Sequence, residues 1–126
     1  MTLKLDIIII FVKDLASCKD FYVHVLGLEI LEETPKQWLL LSTGGCNIGL
    51  HQIGEEYLDE SNEDTEYETN TKIVFEIDGD IHTLRNDLLS KNVTIKEVMT
   101  WDNYPYLLCD GQDPEGNVFQ LKGKKV

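Results

Sequence analysis

The sequence predicts an α+β fold of two βαβββ modules, and three observations carry that reading. Each half opens with a strand-length apolar run, Ile7 to Val12 and Ile73 to Ile77. An Asp-started helix follows each run, at Asp14 and at Asp80, and stops at a small residue, Gly27 or Asn92. Three further short strand candidates then complete each half. The chain of 126 residues reads as one domain. Residues 1–53 form the first module, 54–71 an acidic linker and 72–126 the second module. Two such modules would cup a cavity between them, so the chain reads as built to hold a small molecule.

In order, residues 6–12 form a β-branched run of strand rather than helix length. Asp14 can cap the free amide donors of a first helical turn. Leu15, Cys18, Tyr22, Val25 and Leu26 then recur at helical spacing as one apolar stripe. Gly27 permits a left-handed helix end. Strands follow at 29–33, 38–42 and 47–53, with Thr43-Gly44-Gly45 as a hairpin turn. In the second half, residues 72–77 alternate, with Ile73, Phe75 and Ile77 on one face. A helix from Asp80 buries Ile81, Leu84 and Leu88, and strands at 94–99, 106–110 and 117–122 complete the module. Asp113-Pro114-Glu115-Gly116-Asn117 is a turn in which Pro114 presets φ and Gly116 takes a positive one.

The formal net charge of -12 disfavours nucleic acid and anionic membrane surfaces as partners and favours the approach of a cationic ligand. Much of it lies in residues 54–70, where acids recur at eight positions with Tyr57 and Tyr67 among them, as expected of a solvated linker. No apolar stretch approaches bilayer-spanning length, and the amino terminus lacks a signal-peptide pattern. Three widely spaced cysteines without a CxxC pair argue against a disulfide framework. Together these features point to the cytoplasm.

The helices must cover one face of the strands, with Ile8, Ile10 and Val12 in the first half and Ile73, Phe75 and Ile77 in the second as partners. The opposite face then carries Ile7, Ile9, Phe11, Asn47, Gly49 and His51 from the first module. From the second it carries Lys72, Val74, Glu76, Val118, Gln120 and Lys122. One half of that surface is mostly apolar and the other polar, which suits an amphiphilic guest.

Phe11-Val12-Lys13-Asp14, then Phe21-Tyr22, then Leu26-Gly27-Leu28, with the Asp113–Asn117 turn near the end, resemble the vicinal oxygen chelate superfamily. That group includes glyoxalase I, the bleomycin-resistance proteins and the extradiol dioxygenases, and the resemblance runs from about Leu5 to Lys122. It implies a cupped, partly open barrel-like mixed sheet and a homodimer. It also implies a divalent metal at four pseudo-symmetric positions, which fall here on Ile7, Gly49, Lys72 and Gln120. Ile and Gly supply no ligand side chain, Lys72 repels a cation, and Gln120 is a weak neutral donor.

The sequence is therefore read as a metal-free family member, with no cofactor, that binds a small organic molecule, cationic or aromatic. Its candidate ligand-binding residues are Trp38, Gly49, His51, Lys72, Glu76, Trp101, Tyr104, Tyr106 and Gln120. Trp101, Tyr104 and Tyr106 share a loop suited to stacking on planar or cationic ligands. The alternative is a glyoxalase-like lyase or isomerase, or a dioxygenase, dependent on Ni, Zn, Mn or Fe. It would recruit His51 and Gln120 with Asp6 or Glu76. A third class is an interaction module whose acidic linker engages a protein. His24 and His82 form no metal-ligand spacing, Cys18 reads as core, and no base can be assigned beside Cys109.

Overall fold

The structure is a computed structural model that describes residues 1–2, 5–54 and 71–125. The acidic linker, with Tyr57 and Tyr67, lies outside the described residues. The chain divides into two compact units, Met1–Thr65 and Glu66–Val126.

In the first unit β1 (Ile7–Val12) runs parallel to β4 (Asn47–Gln52). β3 (Trp38–Ser42) pairs antiparallel with β4, and β2 (Glu29–Thr34) closes the order β1-β4-β3-β2. β2 carries a bulge between Ile30 and Glu32. Asp14 caps the helix as expected, its carboxylate accepting from the Ser17 amide at 3.2 Å. The helix is not uniformly α: α1 (Leu15–Lys19) passes into a π-helical segment, Asp20–Val25, closed by Leu26 N–H donating to the Phe21 carbonyl at 2.9 Å. Wider winding narrows the angle between successive side chains, which lets neighbouring Phe21 and Tyr22 both reach the core. Gly27 ends the segment at φ +79°.

Gln52 fastens the strand end to the helix start. Its Oε1 accepts from Leu15 N–H at 2.9 Å, and its Nε2 donates to the Lys13 carbonyl at 2.6 Å and the Ile53 carbonyl at 3.2 Å. Leu39 faces Leu50 and Leu41 faces Ile48 across β3 and β4, and all four are buried, as are Val12 of β1 and Cys18 and Tyr22 of the helix. The other face of β1 leaves Ile9 and Phe11 exposed, as the alternation predicts.

In the second unit β5 (Ile73–Glu76) runs parallel to β7 (Val118–Lys124), and β6 (Tyr106–Gln112) pairs antiparallel with β7, giving β5-β7-β6. Helix α2 (Ile81–Ser90) is capped by Asp80, which accepts from His82 N–H and Thr83 N–H at 3.3 Å each. Asn92 takes the expected left-handed end, φ +62°. In the closing turn the buried Asp113 carboxylate accepts from Glu115 N–H and Asn117 N–H at 2.9 Å each, with Gly116 at φ +83°. Neither sheet closes into a barrel among the described residues.

The strand expected at 94–99 is a correction. That stretch joins β6 only through isolated bridges, Ile95 to Gly111 and Met99 to Leu108. It advances four residues while β6 advances three, so a bulge interrupts the ladder. The Lys96 carbonyl at the interruption turns aside to accept from Arg85 Nε at 2.8 Å. The other predicted strand ends agree with the structure within two residues.

Candidate functional site

All the predicted site residues but Glu76 gather into three clusters, one in the first unit and two in the second. In the first unit β-sheet register sets Phe11 beside His51 and His51 beside Trp38. The His51 ring stands 5.4 Å from Phe11 and 6.2 Å from Trp38, centroid to centroid. Trp38 Nε1 donates to Glu32 Oε2 at 3.2 Å, which fixes the indole. Gly49 is occupied from outside: a Cβ there would stand 2.3 Å from Trp38 Cη2, so the indole fills the space its side chain would take. His51 Nδ1 lies 2.9 Å from the Gln52 carbonyl oxygen and must donate to it, which leaves Nε2 as the open nitrogen.

In the second unit the alternation of β6 and β7 places Tyr106, Asp110, Gln120 and Lys122 on one face, with Asp110 directly across from Gln120. Asp110 is the organising residue, and the sequence reading missed it. Lys72 Nζ donates to its Oδ2 at 2.7 Å and Gln120 Nε2 donates to its Oδ1 at 2.9 Å. Burial pushes the Asp110 carboxyl upward, but the bonds from Lys72 and Gln120 and the charges of Lys72 and Lys96 outweigh it and hold the group below its ordinary value. The same bond fixes the amide of Gln120, because only its nitrogen can face a carboxylate, so its oxygen points away as an acceptor. The period-2 pattern Tyr106, Leu108, Asp110 was the signal that could have found it.

The aromatic loop forms the third cluster. Trp101 stacks on Tyr104 at 4.6 Å and 20°, Tyr104 meets Tyr106 edge-on at 5.7 Å, and Lys122 Nζ lies 4.0 Å above the Tyr106 ring centroid. Lys125 Nζ ties the loop down by donating to the Trp101 and Tyr104 carbonyls at 3.2 Å each. Glu76 stays apart: it is exposed, faces Lys122 in the register, and lines a cavity of about 1010 Å³ with Asp78, Asp80 and His82. A cavity of about 750 Å³ in the first unit, lined by Lys13, Lys19, Lys36 and His51 among others, lies where β1 turns into α1.

The residues present do not fit the divalent ion the fold family implies. Ile7 has no donor, Gly49 is filled by an indole, and the Lys72 ammonium and the Gln120 amide nitrogen are both turned to Asp110. His51 offers one imidazole among ring carbons. Among the described residues no three His, Cys, Asp or Glu side chains converge for a metal.

The paired open sheets, each with a helix after its first strand, define an α+β fold of the glyoxalase type. The chain belongs to the glyoxalase/bleomycin resistance protein/dioxygenase superfamily, whose family model matches residues 4–121. Solved structures of the same fold include a genomically encoded fosfomycin resistance protein from Listeria monocytogenes, 16% identical with a TM-score of 0.77 over 100% of this chain and 97% of that one. A lactoylglutathione lyase from Agrobacterium tumefaciens is 18% identical, with a TM-score of 0.72 over 94% and 91% of the two chains. A glyoxalase/bleomycin resistance protein/dioxygenase family enzyme from Burkholderia phytofirmans is 22% identical, with a TM-score of 0.77 over 98% and 100%. No curated protein matches the sequence. Among the described residues no helix is long and apolar enough to cross a membrane.

Proposed function

We propose that the protein binds a small aromatic organic molecule without a metal, on the face of its second unit, and acts in the cytoplasm as a homodimer. The observation that carries the reading is the Lys72–Asp110–Gln120 cluster on the sheet face that also carries Tyr106, the end of the Trp101–Tyr104–Tyr106 ring row. It combines a fixed ammonium donor, a fixed amide acceptor and stacked rings, the few directed polar groups and aromatic surface that recognise a small molecule. At the two positions where the family places metal ligands in this unit, the side chains satisfy a carboxylate instead. Likeness at 16% to 22% identity supports the fold alone, so the lyase and fosfomycin resistance activities of those proteins are not carried over.

The expectation of a cationic guest rests on the overall charge of -12. A thermal-shift screen of small aromatic compounds tests the reading, because a native-state ligand raises the melting temperature by mass action. The expected result is a set of compounds that stabilise the wild type and fail to stabilise Tyr106→Ala and Asp110→Asn. Stabilisation equal in all three proteins, or no stabilising aromatic compound, would overturn it. Sedimentation at micromolar concentration reads the homodimer: a monomer there contradicts that part.

A further inference from the structure

We propose that the molecule taken on the second unit carries an anionic group, a carboxylate or its equivalent, beside its aromatic ring, and that Lys122 selects it. The inference rests on the small-molecule reading above. A cationic guest would be drawn to the face of an aromatic ring, and Tyr106 is the ring nearest the polar cluster. Lys122 Nζ already sits over that face, 4.0 Å from the centroid. A second cation there would meet like charge at short range.

The lysine is also uncompensated. No ion pair joins Lys122 to a carboxylate among the described residues. Glu76, its partner in the β5–β7 register, makes none with it. Asp110 has both oxygens engaged by Lys72 and Gln120. On the same face Lys124 lies across from Tyr106. Lys72 is held by Asp110, and Lys124 lines the cavity of Glu76, Asp78 and Asp80, so Lys122 is the ammonium group left over the aromatic ring. Charges farther off are screened over about 8 Å at physiological salt, so the ammonium over the Tyr106 ring acts on a guest at closest range. Trp101, 54% exposed and stacked on Tyr104, is the exposed end of the ring row that leads to Tyr106 and Lys122.

The test uses Trp38→Phe protein, in which Trp101 is the one tryptophan left of the two in the chain. Its fluorescence is titrated with phenylacetate, benzyl alcohol and benzylammonium at 0.15 M ionic strength. Phenylacetate is expected to bind about tenfold or more tighter than benzylammonium, the scale of one hydrogen bond to a charged group. Lys122→Met and Lys122→Gln, both at a half-buried surface position, should abolish the preference, and Lys122→Arg should keep it. A preference for benzylammonium, equal binding of all three probes, or an anion preference that survives Lys122→Met would overturn the inference while leaving small-molecule binding intact. Binding of none of the probes would overturn both.

Discussion

Gly111→Ala tests the packing that holds the Asp110–Gln120 pair in register. Gly111 faces Phe119 across β6 and β7, and a Cβ added there would stand 2.5 Å from Phe119 Cζ and 3.0 Å from Cε1 and Cε2. Ordinary carbon contacts lie at about 3.5–4.0 Å, so the ring or the strand must move by about 1 Å or more. Phe119 has no exit: it is 0% exposed, and Phe75 stands 6.4 Å away on its other side. Overpacking costs about 1–3 kcal/mol, and a ring without room puts this case near 3. Replacing Gly by Ala returns about 0.4–1 kcal/mol by restricting the unfolded chain. The net loss is about 2 kcal/mol. An unfolding entropy of about 2.1 cal/mol/K per residue over 126 residues gives about 265 cal/mol/K, so Tm should fall by about 8 °C. Gly45→Ala is the control, since nothing lies within 4 Å of its added Cβ. Circular-dichroism melts read both. A Gly111→Ala protein within about 2 °C of wild type, or a Gly45→Ala protein that loses as much, would refute the reasoning.

Three other outcomes follow from the same structure. Gln52→Leu removes the bonds to the Leu15 amide and the Lys13 carbonyl and should cost about 2 kcal/mol in denaturant unfolding. Asp80, held low first by its bond from the Thr83 hydroxyl, and Asp110 both have folded-state values below the ordinary 3.8. The unfolded state therefore takes up protons first, so the stability these groups add is full above about pH 4–5 and is lost as the pH falls through their depressed values. Asp110→Asn should flatten that acid limb, and an unchanged limb in Asp110→Asn with Asp80→Asn would contradict the assignment. Burial raises the Cys109 thiol and Cys18 is fully buried, so a thiol reagent at pH 8 should modify half-buried Cys46 alone until the protein is denatured.

Much of the fold was legible because its signals are local. Asp14 and Asp80 each face free amides in the first turn of a helix, and both cap as read. Gly27, Asn92 and Gly116 sit where a positive φ is needed, and the β1 alternation separates buried Val12 from exposed Phe11. The departures depend on tertiary partners. Nothing in the spacing of Phe21 and Tyr22 announces the π winding in which both rings are buried. The 94–99 stretch reads as a strand, yet Arg85, distant in sequence, takes the Lys96 carbonyl at the bulge.

The site divides the same way. Alternation placed Lys72, Gln120 and Lys122 on one face, but only the cross-strand register makes Asp110 the acceptor for Lys72, 38 residues away. Gly49 was read as an empty ligand position. That the Trp38 indole fills it is a fact of side-chain packing across β3 and β4.

Metal-independent binding is the central claim, and metal content tests it most directly. The protein as purified is analysed for metal. A chelator-stripped sample is then followed by thermal shift against nickel, zinc, manganese and iron(II). A divalent ion held by the native state at micromolar affinity would raise Tm at modest excess. The account predicts no stoichiometric metal and no shift. About one metal per chain, lost on His51→Ala, would contradict it and make the metal-dependent lyase the better reading.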